Sequence, residues 1–259
     1  MTYADVNGLH LYYEEHGSGD PLVLLHGGIH AGETFGAILP QLAEGRRVIA
    51  VDLQAHGHTA DIDRPLRPEL MADDIAALIE HLGLERADVM GYSLGGAVAL
   101  RTAIQHPDRV RRLVVVSVPF RRHGNFPEVL ATMDAMGPEA AEMMKQSPLY
   151  EVYSRVAPRP EDWPVLIGKV AELLKVGYDW TAEVEALEVP TMLVFADADS
   201  VRPDHIVEFY RLLGGGLRDA GWDGSARRAA RLAILPGTTH YDIFASPALP
   251  AAVIPFLDD

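Results

Sequence analysis

Ser93 stands between two glycines, in Gly91-Tyr92-Ser93-Leu94-Gly95. That is G-x-S-x-G spacing. An apolar stretch, Val89-Met90, leads in, and the helix-forming run Ala97-Val98-Ala99-Leu100-Arg101 follows. A strand that turns at once into a helix strains the residue at the turn. Glycines two positions to either side let the two backbones pass without Cβ collisions. The serine hydroxyl is thereby lifted to the head of a helix, where free N–H groups and the positive helix end favour a developing negative charge. Such a serine can act as a nucleophile if a base takes its proton. A glycine-rich turn with an incidental serine would contain the same five residues, so the partners must be found elsewhere.

They occur in a consistent order. Pro21-Leu22-Val23-Leu24-Leu25 reads as a buried strand and runs into His26-Gly27-Gly28. Glycines there let the backbone approach a ligand, and the Gly28 N–H can point at an oxyanion. Thr191-Met192-Leu193-Val194-Phe195 is a second strand, ending in Ala196-Asp197-Ala198-Asp199, which places acids at its terminus. Leu232-Ala233-Ile234-Leu235 is a third, ending in Pro236-Gly237-Thr238-Thr239-His240. Serine, acid and histidine thus follow one another along the chain, each just past a strand.

On these motifs the chain resembles the α/β-hydrolase superfamily, in particular the single-domain bacterial serine carboxylesterases that carry H-G-G near the N-terminus. Asp52-Leu53-Gln54-Ala55-His56-Gly57-His58-Thr59 is similar to the family's D-x-x-G-x-G-x-S loop, with Ala55 and Thr59 as departures. The resemblance implies an α/β fold: a mostly parallel central sheet flanked by helices, with a helical cap insertion. It implies Ser93 as nucleophile, His240 as general base and Asp199 as its orienting acid. The family spacing favours Asp199 over Asp197, although Ala196 replaces the usual glycine of G-x-x-D. The N–H groups of Gly28 and Leu94 would form the oxyanion hole.

Composition narrows the partners. The 22 basic and 37 acidic residues give a net charge of −15, which argues against nucleic acid or an anionic membrane surface. A small-molecule ester is the expected partner, with no nucleic acid and no membrane. There is no cysteine, which excludes disulfides, thiolate catalysis and cysteine-ligated metals. His56 and His58 form an H-x-H pair without a carboxylate cluster at ligand spacing, so neither a metal nor another cofactor is expected. His26 is read as bonding within its own loop, and Asp52 as a loop-fixing acceptor. No basic-then-apolar leader opens the chain, and no apolar run reaches the roughly 18–20 residues of a membrane span. The expected location is cytoplasmic.

Around the motifs, residues 2–6 and 9–15 read as a hairpin turning at Asn7-Gly8. Further strands are expected over 47–53 and 110–118, and helices over 35–42, 68–82, 203–213 and 247–257. From 119 to 189 the strand-like runs vanish. Prolines then punctuate short helices that carry Met133, Met136, Met143 and Met144. The hydrolase core is therefore assigned to 1–118 and 190–259, and the cap to 119–189. Between 213 and 231 lies a glycine-rich surface excursion, anchored by Trp222. Ile29, His30, Tyr92, Phe120, Phe126, Met133, Met136 and Tyr241 are the expected substrate-binding residues, making an apolar, uncharged pocket for a small to medium ester or lactone. The same triad would also serve a C–C bond hydrolase, a thioesterase or a cofactor-free perhydrolase. Some proteins of this fold act instead as ligand receptors.

Overall fold

The computed structural model describes residues 2–259. Eight strands form one sheet: β1 (Thr2–Val6), β2 (Leu9–His16), β3 (Asp20–Leu25), β4 (Arg46–Val51), β5 (Ala87–Tyr92), β6 (Val110–Val116), β7 (Thr191–Ala198) and β8 (Arg231–Thr239). Their order is β1-β2-β4-β3-β5-β6-β7-β8. β1 and β2 form an antiparallel hairpin whose turn residues, Asn7 and Gly8, both have positive φ, as a tight two-residue turn requires. β2 also pairs antiparallel with β4, and all later pairs are parallel.

A parallel sheet needs cover on both faces, and the near-continuous apolar strands reflect this. Val23, Leu25, Ile49, Val51, Val89 and Val115 pack to one side, against α2 (Pro68–His81) and α3 (Leu94–Gln105). Leu22, Leu24, Val48, Met90, Val114 and Val116 pack to the other, against α1 (Leu39–Leu42) and the last helix (Ala248–Asp258). A helical insertion joins β6 to β7. It comprises α4 (Pro127–Ala135), α5 (Ala140–Met144), α6 (Pro148–Val156), α7 (Trp163–Lys175) and α8 (Thr181–Glu185). The Lys169 ammonium ties α7 down to the loop after β4, on Asp61 Oδ2 at 2.6 Å and the carbonyls of Ile62 and Arg64 at 2.8 Å each. After β7 come α9 (Pro203–Leu212) and, behind β8, the closing helix α10 (Ala248–Asp258). Among the described residues no helix is long and apolar enough to cross a membrane.

Several elements depart from their expected bounds. The helix over 35–42 is reduced to a 3-10 turn (Gly32–Phe35) and the single turn α1, in which Pro40 sits at the start. β6 stops at Val116 because Ser117 takes φ +53°. β7 and β8 run beyond Phe195 and Leu235, through a bulge, to pair Ala198 with Thr239. Asp197 is therefore inside a strand rather than past its end. The excursion after α9 does lie on the surface, but Trp222 is fully exposed and anchors nothing.

Candidate active site

Ser93 has φ +52° and ψ −117°, a strained conformation for a residue with a Cβ. The neighbours enforce it. A Cβ on Gly91 would lie 2.0 Å from the Gly95 carbonyl oxygen, and one on Gly95 would lie 2.3 Å from that of Leu25. Only glycine lets β5, β3 and the start of α3 approach this closely. The Ser93 amide donates to Val116 O at 2.9 Å, and its carbonyl accepts the first turn of α3 from Ala97 N at 3.0 Å.

His240 follows β8, and its Nε2 lies 3.3 Å from Ser93 Oγ. Its Nδ1 lies 3.3 Å from Asp199 Oδ1. Asp199 is held from several sides. Oδ2 accepts from the Ser117 hydroxyl at 2.6 Å and from Ala196 N at 3.0 Å, and Oδ1 accepts from Val201 N at 3.3 Å. Burial pulls this carboxyl upward, but the His240 ring, the Ser117 hydroxyl and the Ala196 amide outweigh it and hold it below the usual carboxylate value. Asp197 does something else. Its two oxygens accept from Gly237 N at 3.0 Å and Thr238 N at 3.2 Å, fixing the bulge that leads to His240.

Two hydroxyls that sequence reasoning missed complete the arrangement. Ser200 Oγ is 3.0 Å from His240 Nδ1, closer than the carboxylate, and 3.4 Å from Asp199 Oδ1. With the Nδ1 proton on the ring, Ser200 can accept it and pass a hydrogen bond on to Asp199. Ser117 is the second. Its partner lies 82 residues away, and the only local sign is a polar residue closing a valine run.

These groups open onto a cavity of about 720 Å³ between the sheet and the helical insertion. Ser93, His240, Gly28, Leu94, Ile29, Met133, Met136 and Tyr241 all border it. The amides of Gly28 and Leu94 have no acceptor within the chain among the described residues, which leaves both available to an oxyanion. The other expected wall residues lie elsewhere. Tyr92 is buried, and its hydroxyl donates to His240 O at 2.7 Å, so it braces the histidine loop. His30 packs against the rings of Tyr92 and Phe244. Phe120 is buried, stacked on His205 at 4.1 Å. Phe126 caps α4 outside the cavity lining. Nor is the wall free of charge: Arg67, Glu69, Arg122 and Glu128 border it alongside Val129, Val170, Leu173 and Leu174.

The loop after β4 supports the site from below. Asp52 Oδ1 accepts from Gly32 N at 2.6 Å, and Oδ2 from His58 N at 2.8 Å. A Cβ on Gly57 would fall 2.2 Å from that carboxylate, which explains the glycine. His26 Nε2 accepts from Leu53 N at 3.1 Å, so its Nδ1 carries the proton and donates to Gly27 O at 2.7 Å. His56 donates from Nδ1 to Gln54 O at 2.7 Å.

Burial lowers the proton affinity of four histidines: His26, His30 to about 4, His56 to about 3 and His205 to about 4. Their folded-state values lie below the ordinary ~6.5, so the unfolded chain takes up these protons first as pH falls. Stability is therefore full above about pH 6.5 and declines toward about pH 3. Thermal unfolding should show Tm falling steadily from about pH 7 to about pH 5. A constant Tm across that interval would contradict the neutral, buried state of these rings.

The chain belongs to the α/β-hydrolase fold family, whose sequence pattern matches residues 20–161. It is 36% identical over 113 residues to the 2-hydroxymuconate semialdehyde hydrolase of a Pseudomonas species. That alignment covers 42% of this chain and 40% of the relative, so the match spans less than half of either. The Azorhizobium caulinodans protein RutD, a carbamate hydrolase by name, is 29% identical over 238 residues, covering 85% of this chain and 88% of that one. Among solved structures, the enol-lactonase from Burkholderia xenovorans superposes over 100% of both chains with a TM-score of 0.76 at 21% identity, a likeness of fold.

Proposed function

We propose that the protein is a serine hydrolase that cleaves small to medium carboxylic esters or lactones through an acyl-serine intermediate. The observation that carries this reading is the line from Ser93 Oγ through the His240 ring to Asp199, opening beside two unengaged amides onto the cavity. His240 Nε2 takes the hydroxyl proton as Ser93 attacks the carbonyl carbon. The amides of Gly28 and Leu94 receive the negative charge that forms on the carbonyl oxygen. His240 then gives the proton to the departing alkoxide. Water, activated by the same ring, cleaves the acyl-serine, and the acid leaves. Asp199 stays ionised throughout and stabilises the imidazolium.

The apolar share of the wall, from Ile29, Leu94, Val129, Met133, Met136 and Leu173, suits the carbon skeleton of such a substrate. The lactonase of like fold performs ester chemistry by its name. A second reading, hydrolysis of a C–C bond next to a ketone, is favoured by the 36% identity to the semialdehyde hydrolase. Multiple-turnover kinetics on matched aryl esters, lactones, thioesters and diketones separate the two. The ester reading expects sustained turnover of aryl ester and lactone well above that of the diketone. A preference for the diketone would replace it, and a single turnover without release would mark a receptor.

A further inference from the structure

Asn125 is a buried polar residue on the cavity wall, only 4% exposed. It is rigidly placed. It bridges in antiparallel fashion to Val201, Phe126 N donates to Ser200 O at 3.1 Å, and Arg202 N donates to Gly124 O at 2.9 Å. Asn125 is thus stitched to the very segment that carries Asp199 and Ser200. Its side-chain orientation is set as well. Nδ2 donates to Arg122 O at 3.1 Å, and turning the amide over would set two oxygens against each other.

That leaves Oδ1. Among the described residues it accepts no hydrogen bond, yet it is not one of the sealed, unsatisfied atoms of the interior. It keeps accessible surface, and the space that Asn125 borders is the cavity. The neighbouring polar groups are already engaged. Ser117 and Ser200 serve Asp199 and His240, Arg122 binds Asp134 and the Leu174 carbonyl, and the Tyr178 hydroxyl donates to Pro119 O. A fixed carbonyl acceptor without a partner, in a mostly apolar wall, selects for a donor on the ligand and against a second acceptor.

We infer that Asn125 is a specificity residue of this cavity, and that the preferred substrate is an ester or lactone carrying a neutral hydrogen-bond donor, a hydroxyl or a secondary amide N–H, which Oδ1 accepts. This rests on the serine-hydrolase reading and adds the substrate's chemical class to it. An ether or a carboxylate at the same place meets the Oδ1 lone pairs and is disfavoured.

The test compares nitrophenyl esters of butanoate, β-hydroxybutanoate, its O-methyl ether, and N-acetyl-β-alanine. The hydroxyl and amide arms distinguish the two donors. The protein should favour at least one donor ester over butanoate by about tenfold in kcat/KM, with the ether no better than butanoate. Asn125→Leu should bring the donor preference close to one, whatever it does to the absolute rate on butanoate. Each ratio comes from one preparation, so it does not depend on the fraction folded. A purely structural Asn125 would move all four esters alike. Ser93-dependent turnover with no donor preference, or a preference unchanged in Asn125→Leu, overturns this inference alone. No turnover of any ester overturns the underlying reading and the inference with it.

Discussion

Replacing Ser93 with alanine should leave a folded protein whose ester turnover falls by about 10⁴–10⁶, the range seen when a triad nucleophile is lost. The fold should survive because what holds the turn does not involve the hydroxyl. The Ser93 amide bonds Val116 O, the carbonyl starts α3, and Gly91 and Gly95 make the close approach possible. Alanine keeps the Cβ and so keeps the strain of φ +52°. Glycine would release it, and Ser93→Gly should therefore melt at a higher temperature than Ser93→Ala while being equally inactive. Activity measurements with thermal melts on both variants decide this. Retained turnover in purified Ser93→Ala would remove the proposed mechanism.

The second large effect separates two acids that stand two residues apart. Asp199→Asn should cost about 10⁴ in rate, and the structure gives the reason. Ser117 Oγ and Ala196 N both donate to Oδ2, so the one remaining oxygen of an asparagine is drawn to that side. Its NH₂ then faces His240 Nδ1 and favours the tautomer with the proton on Nε2, which cannot accept from Ser93. Asp197→Asn should cost tenfold or less, because either the Gly237 or the Thr238 amide keeps an acceptor and only the bulge before His240 loosens. Ser200→Ala should fall between the two, since the direct contact of Asp199 with the ring remains. Steady-state rates for the three variants, measured side by side, test the order. Greater damage from Asp197→Asn would reassign the acid.

What was legible in the sequence was what local sterics and strand ends dictate. The G-x-S-x-G turn works through contacts among β3, β5 and α3 that only glycine permits, and glycines are visible in a sequence. The β/α alternation follows from apolar runs that must be covered on both faces, and the prolines of the insertion mark its short helices. The wall of the cavity was less legible because the direction of a side chain depends on long-range pairing. Tyr92 sits beside Ser93 in the chain, but the strand it ends turns its ring away, under the His240 loop. Phe120 and Phe126 flank the entry to the insertion, yet the residues between them that border the cavity are the polar Arg122 and Asn125. Ser117 and Ser200 meet Asp199 and His240 only because β6, β7 and β8 are neighbours in the sheet. Strand ends lie beyond the expected ones where a bulge prolongs pairing: β8 continues through Pro236 and Gly237 although both usually close a strand.

The most direct test of the account is covalent labelling with a fluorophosphonate, followed by intact-mass and peptide mapping. The reactive phosphorus takes the place of the ester carbonyl carbon, and its oxygen stands in for the oxyanion. The account predicts one label per chain, carried by Ser93, with loss of ester turnover in proportion to labelling and no label in Ser93→Ala. A label on any other residue, or undiminished turnover in fully labelled protein, would contradict it.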